Sequence, residues 1–156
     1  IDDMLLSKGA LVIDYSWQML LDKDGYPASK PPWGGIAKVN LTSGQLDWSV
    51  PFGDRKNKSG DIIALGDKNY GGVLSTKSGL VFASGTPDEM ARAFSISSGE
   101  EVWKRKMPYA GSAPPMSYKY KGCQYVVFVA SGGQFVGFEK DGDAVLAYKL
   151  GSCTSQ

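Results

Sequence analysis

The chain has 156 residues, enough for one domain with a real core. Its 17 basic and 16 acidic side chains balance, which argues against nucleic acid or an anionic membrane as partner, and no apolar run approaches the ~18 residues that cross a bilayer. Histidine is absent, which excludes His-based triads, His general bases and most zinc sites, while 20 Gly and 8 Pro favour short strands and turns over long helices.

The chain opens at Ile1 without a charged-then-apolar leader, which reads as a processed or excised piece. Residues 1–21 are unassigned apart from one strand-like run, Ala-Leu-Val-Ile-Asp-Tyr-Ser-Trp at 10–17. That run is expected to supply a missing outer strand, within or between chains. Asp22-Lys-Asp-Gly25 reads as an Asp-Gly turn, because a calcium loop starting at Asp22 needs an acid at its twelfth position, where Trp33 stands. Trp33, in a loop after Pro31-Pro32, is a candidate pocket-lining residue. The clusters Arg55-Lys56-Asn57-Lys58 and Lys104-Arg-Lys106 read as solvated loop and edge-strand charges.

A repeat organises the rest. Lys38-Val-Asn-Leu-Thr-Ser-Gly-Gln-Leu-Asp-Trp48 lines up with Ala93-Phe-Ser-Ile-Ser-Ser-Gly-Glu-Glu-Val-Trp103, and a partial third copy appears at Ala147-Tyr-Lys-Leu150. The middle unit reads as four strands near 71–76, 79–85, 91–97 and 100–107, with Ser98-Gly99 turning between the last two and a turn around Pro87 to Ala91. In the last unit, strands are expected at about 123–132 and 143–152, with Asp141-Gly-Asp143 as a turn. Four antiparallel strands at a period near 54 residues identify a β-propeller blade. The chain is thus all-β, a partial propeller of two to three four-stranded blades over 22–156. Such wedges cannot bury their own sides, so either more chain or further copies of this one must cover them.

Trp48 and Trp103 stand at the outer-strand position of the repeat and are expected to dock blade against blade. The two cysteines are expected to pair. If the last unit's hairpin pairs residues whose numbers sum to about 275 or 276, Cys123 lies opposite residue 152 or 153, next to Cys153. A Cys123–Cys153 bridge implies an oxidising compartment such as the periplasm.

These segments resemble the C-terminal portion of the quinoprotein dehydrogenases, eight-bladed propellers that use pyrroloquinoline quinone (PQQ). The 11-residue repeats resemble that family's tryptophan-docking motif, with Ser43 and Ser98 in place of its Thr, and Asn40 and Ser95 in place of its Asp. Lys30-Pro-Pro-Trp-Gly34, Val50-Pro-Phe-Gly53, Asn69-Tyr-Gly-Gly72, Gly79-Leu-Val-Phe82, Gly122-Cys-Gln-Tyr-Val-Val127 and Ala130-Ser-Gly-Gly133 resemble the membrane-type glucose dehydrogenases in the same order. The resemblance implies that Tyr70, Gly133 and Gln134 approach the quinone or substrate. It implies PQQ and calcium as cofactors of the parent enzyme, and a sugar or alcohol hydroxyl oxidised to a carbonyl. Nothing in the 156 positions matches the family's catalytic carboxylate or calcium ligands. The chain alone is therefore expected to be inactive and to bind neither cofactor. The alternative is a non-enzymatic propeller or oligomeric scaffold with the same repeats.

Overall fold

The computed structural model describes residues 19–134 and 138–151. Eleven strands form among these residues: β1 (Gly35–Val39), β2 (Leu46–Pro51), β3 (Arg55–Lys56), β4 (Ile62–Ile63), β5 (Val73–Ser75), β6 (Leu80–Ala83), β7 (Met90–Ser95), β8 (Glu101–Lys106), β9 (Met116–Tyr120), β10 (Cys123–Gly132) and β11 (Asp141–Leu150). Every pairing is antiparallel. β1 and β2 make sheet A, β5-β6-β7-β8 make sheet B, and β11-β10-β9 make sheet C, while β3 and β4 form a small hairpin between A and B. Sheet B is the complete blade of the repeat; the run 10–17 and its expected pairing lie outside the described residues.

The strands of sheet B are short because Gly and Ser-Gly turns interrupt them, and its centre is apolar on both faces. β7 shows why: Ala91, Arg92, Ala93 and Phe94 are all buried, as a strand sandwiched between two other sheets must be. Its alternation divides them. Ala91 and Ala93 join Phe82, Met107, Val126, Phe128 and Ala130 in the core between B and C. Phe94 joins Ile36, Phe52 and Ala83 in the core between A and B. The small Ala93 leaves room for Phe82 to meet Phe128 edge-on at 6.5 Å, and burying each such ring contributes about 2–3 kcal/mol.

The last hairpin corrects two expectations. β11 begins at Asp141, so Asp141-Gly-Asp143 opens a strand and is not a turn. Gly142 permits this, because a Cβ there would meet the Tyr109 ring at 2.1 Å. The pairing of Gln124 with Leu150 and Ala130 with Ala144 gives a sum of 274, so the residue opposite Cys123 is 151. Cys123 is disulfide-bonded; Cys153 lies outside the described residues. The register slips between Ala130 and Gly132, a bulge that the sequence pattern did not announce.

Candidate functional site

The antiparallel register brings the start of β5, the end of β6, the start of β7 and the end of β8 to one end of sheet B. The corresponding ends of A and C meet it there. Asp67 N–H donates to Phe52 O at 2.9 Å, Tyr70 N–H to Gly85 O at 3.0 Å and Gly132 N–H to Ala110 O at 2.8 Å. Buried Ser84 donates its hydroxyl to Gly111 O at 3.0 Å. This common end, the upper rim, carries the loops between sheets and between β6 and β7, and it is where function concentrates on such scaffolds.

Tyr70 sits on this rim just before β5 and is 50% exposed. Its ring meets Phe138 edge-on at 5.8 Å. Phe138 is buried, and its N–H donates to Gly133 O at 3.0 Å. Gln134 follows, exposed, with its backbone N–H held by Asp141 Oδ1 at 2.8 Å. The rim therefore brings Tyr70 and the Gly133-Gln134 loop together through Phe138, a residue that sequence reasoning missed. The only available signal was an aromatic residue inside a Gly-rich hairpin loop.

Beside Phe138 opens a cleft of about 550 Å³ lined by loops from all three sheets, including Arg55, Lys56, Asp67, Lys68, Glu89 and Lys140. Lys68 Nζ lies 6.0 Å from the Phe138 ring centre. Arg55 is not the solvated charge expected from its cluster. Its Nε donates to Asp67 Oδ2 at 3.1 Å, and its guanidinium lies 5.5 Å from the Trp33 ring and 5.9 Å from that of Tyr26. Trp33 itself stacks on Tyr26 at 5.5 Å, donates Nε1–H to Ser29 O at 2.8 Å, and is not among the cleft-lining residues. Asp22 closes a turn, its Oδ1 accepting from Asp24 N–H at 2.8 Å and Tyr26 N–H at 2.9 Å. These backbone donors, Tyr26 first, hold its carboxyl below the usual range.

Beneath the cleft lies a second feature absent from the sequence reading. Arg92 is 1% exposed and reaches Asp88, Asp54 at 3.2 Å and Glu101 at 2.8 Å, with its guanidinium 5.6 Å from the Phe52 ring. Lys104 extends the network to Asp54 at 3.0 Å, although its run was expected in solvent, and Lys106, exposed as expected, pairs with Glu89 at 2.7 Å. Asp54 belongs to the segment leaving sheet A, so the network ties A to B. Burial pushes the Asp88 carboxyl up, but the hydrogen bonds and charge of Arg92 outweigh it and hold the group below its ordinary value. Burial likewise opposes the Arg92 charge, and Asp88, Asp54 and Glu101 more than restore it.

The two repeat tryptophans lie between sheets. Trp48 on β2 donates Nε1–H to Ile96 O, just after β7, at 2.9 Å. It also covers Gly99, where a Cβ would meet the indole at 2.7 Å and where φ is +75°. Trp103 on β8 reaches sheet C, with Phe128 at 6.4 Å and Tyr148 at 5.0 Å. Burial raises the Tyr148 hydroxyl pKa.

Comparison with known proteins places this geometry. The family described as "PQQ: Glucose/ethanol/alcohol dehydrogenase, beta-propeller domain" matches residues 6–126. Quinoprotein glucose dehydrogenase A of Acinetobacter calcoaceticus is 33% identical over 131 residues, 81% of this chain and 16% of the relative. Quinate/shikimate dehydrogenase (quinone) of Acinetobacter baylyi is 37% identical over 134 residues, with the same coverage of each. The solved quinohemoprotein alcohol dehydrogenase of Pseudomonas putida HK5 superposes with a TM-score of 0.57 at 27% identity, over 78% of this chain and 17% of that one. The chain thus spans about a sixth of the length of the curated relatives it matches. With four-stranded sheet B docked between A and C, and a family match over most of the sequence, the chain belongs to the β-propeller family of PQQ-type glucose, ethanol and alcohol dehydrogenases.

Proposed function

We propose that this chain is the C-terminal propeller sector of a PQQ-dependent dehydrogenase that oxidises sugar or alcohol hydroxyls to carbonyls, and that its upper rim forms one wall of the quinone pocket. The observation that carries the reading is the convergence of Tyr70, Phe138 and the Gly133-Gln134 loop at one end of the sheets. The residues present fit a planar, anionic quinone along one side. Tyr70 offers a half-exposed aromatic face, Gln134 a polar side chain at the loop's exposed turn, and Lys68 a positive charge beside Phe138. PQQ, when bound, accepts the hydride equivalents released by the hydroxyl carbon. The chain's own share is to orient the ring and to exclude water along that wall.

Calcium does not fit this chain in the same way. Among the described residues there is no group of three or more His, Cys, Asp or Glu that could hold a metal, so no calcium step is assigned to it. Trp48 and Trp103 act as blade-docking residues, and the Cys123 disulfide supports a periplasmic setting. The far face of sheet C supports a larger partner. Register places Met116, Tyr118, Tyr125, Val127, Val129 and Val145 on the side facing away from B, with Met116, Tyr118 and Val145 exposed. The remainder of the propeller covers that face. The test is to titrate the chain with PQQ and calcium and assay glucose and ethanol oxidation. No turnover is expected from the chain and PQQ-dependent turnover from the parent protein; sustained turnover by the chain alone would defeat the reading.

A further inference from the structure

Tyr70 and the Gly133-Gln134 loop stand on different sheets, and the segment Ala110-Gly111-Ser112, between β8 and β9, is bonded to the backbone beside each. Toward sheet C, Ala110 O accepts from Gly132 N–H at 2.8 Å. The Ser112 hydroxyl donates to Gly132 O at 2.7 Å and lies 2.8 Å from Ser131 Oγ. One segment thus holds both backbone polar groups of Gly132, directly before Gly133 and Gln134. Toward sheet B, Gly111 O accepts the hydroxyl of Ser84 at 3.0 Å, and Ser84 is 1% exposed. The next residue, Gly85, gives its carbonyl to Tyr70 N–H at 3.0 Å. Neither serine lines the cleft, so both hydroxyls are spent on backbone and not offered to a ligand.

The three backbones are also pressed together. A Cβ on Gly85 would meet Gly71 N at 2.1 Å, and one on Gly111 would meet Ser84 Oγ at 2.5 Å; only glycine allows this approach. Segments in backbone contact have no slack to take up, so hydroxyl bonds laid across them fix a single spacing. The Phe138 ring bridges the same gap to Tyr70, but an edge-on ring contact tolerates sliding in a way that a directional hydrogen bond does not.

From these observations we infer that Ser84 and Ser112 are positioning residues for the dehydrogenation: through the 110–112 segment they set the spacing at which Tyr70 and the Gly133-Gln134 loop face the quinone. The inference rests on the reading above and deepens it, because a wall held at one spacing orients a planar ring without reorganising when the ring enters.

Two preparations test it, the 156-residue chain and the PQQ-loaded parent protein. In the chain, amide hydrogen exchange is expected to quicken about tenfold at Gly132 in Ser112→Ala and at Tyr70 in Ser84→Ala, while the central amides of β7 and β10 keep wild-type rates. In the parent, each alanine variant is expected to bind PQQ about three- to tenfold more weakly, the worth of one hydrogen bond, and to lose kcat severalfold. Ser112→Thr keeps the hydroxyl and should stay within about twofold of wild type. Thr76→Ala is the control: it removes a hydroxyl bond to Leu80 O at the opposite end of sheet B, and should lower Tm without changing PQQ affinity. Unchanged exchange at Gly132 and Tyr70, wild-type PQQ affinity in both alanine variants, or an equal loss in Ser112→Thr or Thr76→Ala would overturn the inference. A wild-type parent without PQQ-dependent turnover defeats the functional reading and this role with it, whereas an active parent indifferent to both serines defeats this role alone, so the two failures are distinguishable.

Discussion

Replacing Arg92 by Met removes the cation that three carboxylates share while keeping most of the side-chain volume. Asp88 and Asp54 are 11% and 19% exposed, and Glu101 is 33% exposed. Water screens the Glu101 contribution most, leaving the loss dominated by the two aspartates. Breaking a buried ion pair by deleting one partner costs about 3–5 kcal/mol, because charges are left buried and uncompensated; the partial exposure of the aspartates puts the expected loss near the lower end, about 3 kcal/mol. For a chain of this length that corresponds to a fall in Tm of about 6–12 °C. The pH dependence is more diagnostic. In the wild-type chain Asp88 is held below its unfolded value, so its contribution is present above about pH 4 and is lost as pH falls through the folded value. Without Arg92, burial of Asp88 is still opposed by the hydrogen bonds from the Thr86 hydroxyl and the Asp54 backbone N–H, but its folded pKa rises from the wild-type position, and less stability should be lost on acidification through the carboxylate range than in the wild-type chain. Thermal and urea unfolding from pH 3 to 7 measures both effects. A loss under about 1 kcal/mol, or a parallel pH slope in the two proteins, would refute the view that this network locks sheet A to sheet B.

Other expected outcomes test separate contacts. Gly71→Ala places a Cβ 2.2 Å from Ser84 O and 2.9 Å from Gly111 O, both backbone atoms that cannot turn aside; a loss of about 2–3 kcal/mol is expected in denaturant unfolding. Trp48→Phe deletes the Nε1–H bond to Ile96 O and should cost about 1 kcal/mol. Trp103→Ala, stripping the stack on Phe128 and the edge-on contact with Tyr148, should cost about 2–3 kcal/mol and shift the Tyr148 titration, followed by ultraviolet absorbance, toward its ordinary value. A thiol assay of the denatured, unreduced chain should find no free cysteine, with a stability loss of order 3–4 kcal/mol on reduction; two titratable thiols would exclude the bridge.

The blade architecture was legible because its signal is local and repeated. The strands of sheet B are short and separated by Ser78-Gly79, Ser84-Gly85 and Ser98-Gly99, and the bounds read for β10, 123–132, are the observed ones. The 55-residue spacing of Trp48 and Trp103 marked equivalent positions on β2 and β8. What escaped is long-range. Arg92 draws its charge partners from the segment after β2 as well as from its own sheet, and Lys104 reaches Asp54, 50 residues away. A basic run in sequence therefore looked solvated when only part of it was. The hairpin register was misjudged by one to two residues because Asp141-Gly-Asp143 was read as a turn, which started β11 two residues late, while it in fact opens the strand. At the rim, Tyr70 and Gln134 were singled out through family resemblance, whereas Phe138 entered only when the fold laid it against Tyr70.

The central claim is that these three sheets are one sector of a larger quinoprotein wheel. The most direct measurement is a native gel of an extract from the source organism, stained for PQQ-dependent dye reduction with glucose and with ethanol, then blotted with an antibody raised against this chain. The account predicts that the antibody marks the active band, and that the denatured species is several times heavier than 16.7 kDa, in keeping with relatives of which this chain spans 16%. A stable species of about 17 kDa, resolved from every PQQ-dependent band, would contradict it.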